Sequence, residues 1–239
     1  MTKTQNLFFS CVDSRIQEHG FLYARFHLGT FFRGQSLTFA NALRRVLLSE
    51  IPSITLKEIA IKGANHEFAT LTGVQETVLE VILNLKKVVF TPITTNLTEL
   101  ETFQTQVFLK SHGPAKLTAA DLKLPRRLKC INPNAPIATL TTGGELSFCL
   151  DLHFVNPLYP LSTKKNPLPE NRLQTFSLET LPMPVQKVNY VIKELDAKNK
   201  SEYVMLEIWT DGSLTPQDVL QFALKNLTKF FYQFAELSK

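Results

Sequence analysis

Several things are scarce in this sequence, and each shortage closes a class of explanation. There are three cysteines in 239 residues, Cys11, Cys130 and Cys149, far apart and in no CxxC pair. Such a set supplies neither a disulfide framework nor a zinc site and points to a reducing compartment. Glycine is sparse, nine in all, and no GxGxxG, Walker loop, HExxH or GxSxG occurs. The local geometries that cradle phosphates, hold zinc or expose a nucleophile are therefore missing. The five histidines, His19, His27, His66, His112 and His153, have no metal-ligand spacing. No metal, no cofactor and no catalytic residue is expected. No run of about 18 apolar residues is present, so no membrane-spanning helix is expected. The N-terminal stretch MTKTQNLFFSCVDSR has only a short apolar block and reaches Asp13 early. It reads as neither a signal peptide nor a transit peptide. The net charge of +5, from 26 basic and 21 acidic residues, is well below that of a face binding DNA by charge alone.

What is present is a core. Hydrophobic residues make up 44% of the chain, with eighteen Phe against a single Trp, enough to fill one large domain or two small ones. The stretch Gln35 to Glu50 places Leu37, Ala40, Leu43 and Leu47 three or four apart, the stripe of an amphipathic helix. Ser36 is its expected N-cap and Pro52 its stop. A second helix is expected from Thr72, with Thr72 and Gln75 as a capping box and Glu76 and Glu80 on a solvated side. A third opens at Thr215-Pro216-Gln217-Asp218 and runs to about Leu237, since Thr caps, Pro suits the first helical position and Asp suits the positive end. Its apolar residues, Leu220 through Leu237, cover too wide a stripe for one contact, so one side faces its own sheet and the other a second chain.

Between the helices the pattern is strand-like. Phe8 to Ile16 and Phe21 to His27 flank a turn at residues 17–20, and Thr55 to Lys62 follows the first helix. Val88–Phe90, Thr102–Leu109, Arg127–Ile131, Ile137–Leu140 and Leu146–Phe154 are short strands, and Leu117 to Leu122 is a single helical turn. Asn156 to Glu170 reads as a proline-rich loop. Phe176–Leu181, Pro184–Leu195 and Glu202–Thr210 close the sheet, the last two joined around Lys198–Lys200. Lys123, Arg126, Arg127 and Lys129 form a basic cluster whose simplest reading is a solvated loop, with direct nucleic-acid binding as the alternative. The class is α+β, non-catalytic, with association surfaces.

Four blocks in order carry a more specific signal. Arg33-Gly34 leading into Asn41-Ala42-Leu43-Arg44-Arg45-Val46-Leu47-Leu48-Ser49 resembles the first dimerisation helix of the bacterial-type RNA polymerase alpha subunit family. His66-Glu67-Phe68 with Gly73-Val74-Gln75-Glu76 and Leu83-Asn84-Leu85-Lys86 resembles that family's next helix and its lead-in, and Gly113-Pro114 with Thr118-Ala119-Ala120-Asp121 is similar to its insert-domain segment. Pro184-Val185, Tyr190 and Thr210-Asp211-Gly212-Ser213-Leu214-Thr215-Pro216 resemble its closing strands and last helix. The lead-in Gln35 to Ala40 departs from it, with Phe39-Ala40 where the family is Gly-rich.

The resemblance implies a discontinuous dimerisation subdomain, residues 1–52 with 180–239, and an inserted β-rich subdomain, 53–179. It implies a second alpha subunit as partner, through a seam of Leu37, Ala40, Leu43, Leu47, Leu220, Leu224, Leu227, Phe231 and Phe234. Arg45, with Arg44, Asn41, His66 and Glu67, is expected to contact the beta subunit, and Lys86 the beta-prime subunit. The chain then serves a DNA-directed RNA polymerase as an assembly scaffold and meets DNA only through the assembled complex. The family's C-terminal DNA-gripping domain has no counterpart in these residues. Composition and the N-terminus favour a plastid (chloroplast) stroma, with bacterial cytoplasm as the alternative. The rival function is a homodimeric interaction module unrelated to transcription.

Overall fold

The computed structural model describes residues 7–17, 20–93, 104–157, 174–178, 183–196 and 201–237. In chain order the elements are β1 (Phe8–Ile16), β2 (Leu22–Phe32), α1 (Gln35–Ser49), β3 (Ser53–Ile61), α2 (Val78–Leu85), β4 (Phe90–Pro92), β5 (Gln104–His112) and β6 (Ala115–Thr118). A 3-10 turn at Ala119–Asp121 follows, then β7 (Leu128–Cys130), β8 (Pro136–Leu140), β9 (Glu145–Val155), β10 (Thr175–Ser177), β11 (Val185–Asp196), β12 (Ser201–Thr210) and α3 (Pro216–Leu237). They group into two units, Met1–Ile51 with Met183–Lys239, and Pro52–Pro182. The expected turn residues Glu18 and His19, the start of the strand at Thr102, most of the 156–170 loop, the end of the 176–181 strand and the Lys198–Lys200 loop lie outside the described residues.

The first unit is a four-stranded antiparallel sheet, ordered β1-β2-β12-β11, with α1 and α3 on one face. Strand alternation sends every second side chain to that face. The register sets Ala24 opposite Ile208, Phe26 opposite Leu206 and Leu28 opposite Val204, all six in one buried cluster with the helices. β2 runs five residues beyond the expected His27, because Phe31 and Phe32 continue to pair with Glu202 and Ser201. On the opposite face Tyr23 and Trp209 meet at 5.0 Å between ring centres, and the Lys187 ammonium lies 4.9 Å from the Trp209 ring. Glu207 there accepts from the Tyr23 hydroxyl at 2.8 Å and the Arg25 guanidinium at 2.9 Å.

The start of α1 differs from expectation. Its N-cap is Gly34, in the left-handed region at φ 91°, with no side-chain cap. Ser36 is fully buried, and its hydroxyl donates to the Glu202 carboxylate of β12, which also accepts from the Gly34 N–H at 3.4 Å. The negative charge suited to a helix N-terminus thus comes from a strand 168 residues away rather than from the first turn.

The second unit has a sheet ordered β10-β3-β9-β5 and two ribbons, β4-β7 and β6-β8. Leu146, Phe148, Leu150, Leu152 and Phe154 of β9 alternate into its core with Ile59, Ile61, Leu85 and Leu109. β6, unmarked in the sequence pattern, pairs with β8 through Leu117 and Ala138. The capping box expected at Thr72 forms five residues later. Thr77 caps α2, its hydroxyl oxygen accepting from the Glu80 N–H while Glu80 accepts from the Thr77 N–H at 2.8 Å. Val74 is instead held in a bridge to Leu140. Nor are the two glutamates a solvated pair, since Glu76 accepts from the Thr139 N–H at 2.7 Å. Gly73, at φ 78°, passes so close to Gly144 that a β-carbon on it would sit 2.4 Å from the Gly144 Cα. Only glycine fits that crossing.

The turn into α3 carries a titratable consequence. Asp211 accepts from the Ser213 N–H at 2.9 Å and the Ser213 hydroxyl at 2.5 Å. Burial nevertheless holds its carboxyl above the ordinary 3.8, the Ser213 donors only partly opposing this. Folding therefore favours the protonated acid. That contribution is complete below pH 3.8 and is lost as pH rises through the raised folded value. We expect Asp211→Asn to gain stability relative to the wild type as pH goes from about 4 to about 7 in urea unfolding. A difference independent of pH would contradict this.

Candidate assembly surfaces

The apolar stripe of α1 is divided between two jobs. Ala40, Leu43 and Leu47, with Leu220 of α3, are at most 1% exposed and sit in the core formed with the chain's own sheet. In the single chain these four side chains are enclosed by their own sheet and helices and present almost no surface. The other expected seam residues are placed differently. Leu37 is 48% exposed, Phe231 61% and Phe234 60%, while Leu224 and Leu227 are half-buried. A helix of 3.6 residues per turn can cover its own core with one face and leave the other unpartnered.

α3 is also divided along its length. Val219, Leu220 and Ala223 are buried near its start, whereas every residue from Thr228 to Leu237 is exposed. The exposed half carries Phe230, Phe231, Tyr232 and Phe234, and Phe230 contacts Phe231 and Phe234 at 5.6 and 5.1 Å between ring centres. An isolated helix that short is marginal in water, and most helical stability comes from packing an apolar face. An aromatic surface of this kind marks an association site. Beside it lies a groove of about 590 Å³ lined by Phe31, Thr38, Phe39, Ala42, Leu224 and Leu227, among others. Phe39, the departure seen in the sequence, stacks on Phe31 at 4.8 Å and helps form the groove wall.

The polar edge of α1 is separate. Asn41, Arg44 and Arg45 are exposed, as is Leu48, and spacings of three, four and seven gather them on one side of the helix. Asn41 is anchored, accepting from the Tyr190 hydroxyl of β11 at 2.6 Å. Neither arginine forms an ion pair among the described residues. In the second unit His66 and Glu67 are exposed in the loop after β3, and Lys86 is exposed as the C-cap of α2. His66 and Glu67 are neighbours in that loop, whereas Lys86 stands on a different element. His153 is a core histidine, 2.9 Å from Asp151 with both side chains buried.

Sequence reasoning missed the groove, the Tyr190 anchor and the Glu202 contact. Each joins residues more than 140 positions apart or depends on how two helices meet, and no local pattern encodes that. Among the described residues no group of three or more His, Cys, Asp or Glu is placed to hold a metal ion. No described helix is long and apolar enough to cross a membrane.

The fold and surfaces define a class, a dimerisation module whose chemistry is association. Comparison with known proteins gives the family. Residues 30–231 match the RNA polymerase Rpb3/Rpb11 dimerisation domain. The DNA-directed RNA polymerase subunit alpha of Chlorella vulgaris is 50% identical, the alignment covering 100% of this chain and 99% of that one. The same subunit of Cyanidium caldarium is 35% identical, covering 96% and 71%, and that of a Synechocystis strain 34%, covering 96% and 71%. The chain belongs to the alpha-subunit family of DNA-directed RNA polymerase. It works as a dimerising assembly subunit in a nucleotidyltransferase complex, with other polymerase subunits as its partners.

The burial division predicts two different mutational costs. Leu43→Ala should lower the unfolding free energy by about 2–5 kcal/mol, because it empties a closed site. Arg45→Ala should stay within about 0.5 kcal/mol of wild type, because its side chain is exposed and forms no ion pair among the described residues. Chemical denaturation of both variants checks this.

Proposed function

We propose that the first unit is the dimerisation subdomain and the second an inserted docking subdomain, and that two copies pair through the uncovered parts of α1 and α3. The observation that carries this is the ten-residue exposed half of α3 beside an apolar groove. In a twofold pair each chain offers the same surface, so one chain's exposed aromatics fill the other's groove. Leu37, Leu224, Leu227, Phe231 and Phe234 form the seam, while Ala40, Leu43, Leu47 and Leu220 support it from within. The dimer then receives the two largest polymerase subunits. Arg45, Arg44 and Asn41 face the beta subunit on the first unit, His66 and Glu67 face it on the second, and Lys86 faces beta-prime. The likeness to the alpha subunit of Chlorella vulgaris, spanning the whole of this chain, supports a plastid stroma as the site of action.

Two variants separate the roles. Phe231→Glu with Phe234→Glu should shift the chain from dimer to monomer in analytical ultracentrifugation, by placing charges in an apolar seam; a dimer of unchanged affinity would refute the seam. Arg45→Ala should leave the dimer intact and reduce co-purification of beta by about tenfold or more, as loss of a buried charged contact does. Unchanged recovery of beta would remove Arg45 from that contact. If wild-type chain captures neither large subunit, the rival reading of an unrelated homodimeric module gains the ground.

A further inference from the structure

The second unit carries a surface that the family reading leaves almost unused. Lys123, Arg126, Arg127 and Lys129 are exposed along the segment leading into β7, and Lys86 and Lys87 are exposed at the end of α2. Backbone contacts tie the two groups together. Lys129 stands opposite Thr91 in the β4-β7 ribbon. The Asn132 side chain accepts from the Val89 N–H at 2.9 Å and donates to the Lys87 carbonyl at 2.8 Å. None of the six forms an ion pair among the described residues. Acids in adjoining elements are engaged elsewhere, Glu80 by Thr77 and Asp121 by Thr118. Of the chain's 26 basic residues, removing these six leaves one fewer than its 21 acids. These six side chains together carry +6, more than the chain's net charge of +5.

The same surface is apolar in places. Among the described residues this unit exposes four large hydrophobic side chains, Phe68, Leu83, Ile93 and Phe108, and the last three adjoin the cations. Leu83 lies three residues before Lys86 on the same side of α2. The Ile93 N–H donates to the Arg127 carbonyl at 3.0 Å, and the Phe108 carbonyl accepts from the Lys123 N–H at 2.9 Å. A nucleic-acid backbone offers charge to the cations but nothing apolar to Leu83 and Ile93. A protein surface offers both, complementary charge for the cations and apolar groups for Leu83 and Ile93.

We propose that this surface docks an acidic, partly apolar segment of a large polymerase subunit, so that the contact assigned to Lys86 continues across Lys87 and the β4-β7 ribbon to Lys123. The inference rests on the reading that Lys86 faces beta-prime. Complementary charge raises the rate of encounter and makes it sensitive to salt, while the apolar groups hold the complex once formed.

The test uses the full chain and beta-prime, with Arg126→Glu, Arg127→Glu and Lys129→Glu combined in one variant and Lys86→Ala in another. A variant with Gln at the same three positions serves if reversal of charge disturbs the fold by circular dichroism. Wild-type affinity should fall as NaCl is raised. The triple variant should bind beta-prime about tenfold more weakly at low salt, lose most of that salt dependence, and remain a dimer. If Lys86→Ala weakens binding and the triple variant does not, the contact at Lys86 stands and its extension is wrong. If neither changes binding, both readings fall. If the triple variant keeps beta-prime but loses salt-dependent binding to a short DNA duplex, the occupant is nucleic acid and the proposal is overturned.

Discussion

One apolar contact governs the first unit: the inner faces of α1 and α3 lie on the sheet residues Ala24, Phe26, Leu28, Val204, Leu206 and Ile208. Burying those side chains contributes roughly 1.5–3 kcal/mol each for the larger ones. It also fixes rotation. Once Leu43 and Leu47 point into the sheet, Asn41, Arg44 and Arg45 have to point away from it, and Leu37 has to lie at the rim. The outward chemistry of α1 is a by-product of how its inner face is satisfied.

Electrostatics refine this arrangement at the ends of the helices. α2 and α3 carry their own acids in the first turn, Glu80 and Asp218. α1 has none and takes Glu202 from β12 instead. The borrowed carboxylate links the start of α1 to the strand beneath it, next to the groove that Phe31 and Phe39 line. A contact that caps a helix here also fixes one wall of that groove.

Much of the fold was legible because it depends on local periodicity. The three helices, the β1-β2 and β11-β12 hairpins and the inward alternation of β9 all follow from spacings of two or of three and four. The errors share a cause. Ser36 and Thr72 fit a capping pattern, yet Ser36 is drawn into the core towards Glu202 and Thr72 lies in a loop fastened by Val74 to Leu140. Tertiary partners decided between equally good local choices. The candidate surfaces were legible in part for the same reason. Periodicity marks a stripe as apolar but does not say which of its residues the chain itself will cover, so Leu43 and Phe231 looked alike in sequence and differ completely in exposure.

The pairing of β2 with β12 joins the two ends of the chain across the whole second unit, Phe32 standing opposite Ser201. During synthesis β1, β2 and α1 emerge early, but the sheet face that α1 covers is incomplete until β12 has followed. The 168 residues separating Gly34 from Glu202 take on the order of ten to thirty seconds to translate. The second unit is contiguous, and its own strands pair within that interval. The sheet beneath α1 is therefore finished only after β12 has been made, so the outer faces of α1 and α3 take their places after the strands of the second unit have emerged.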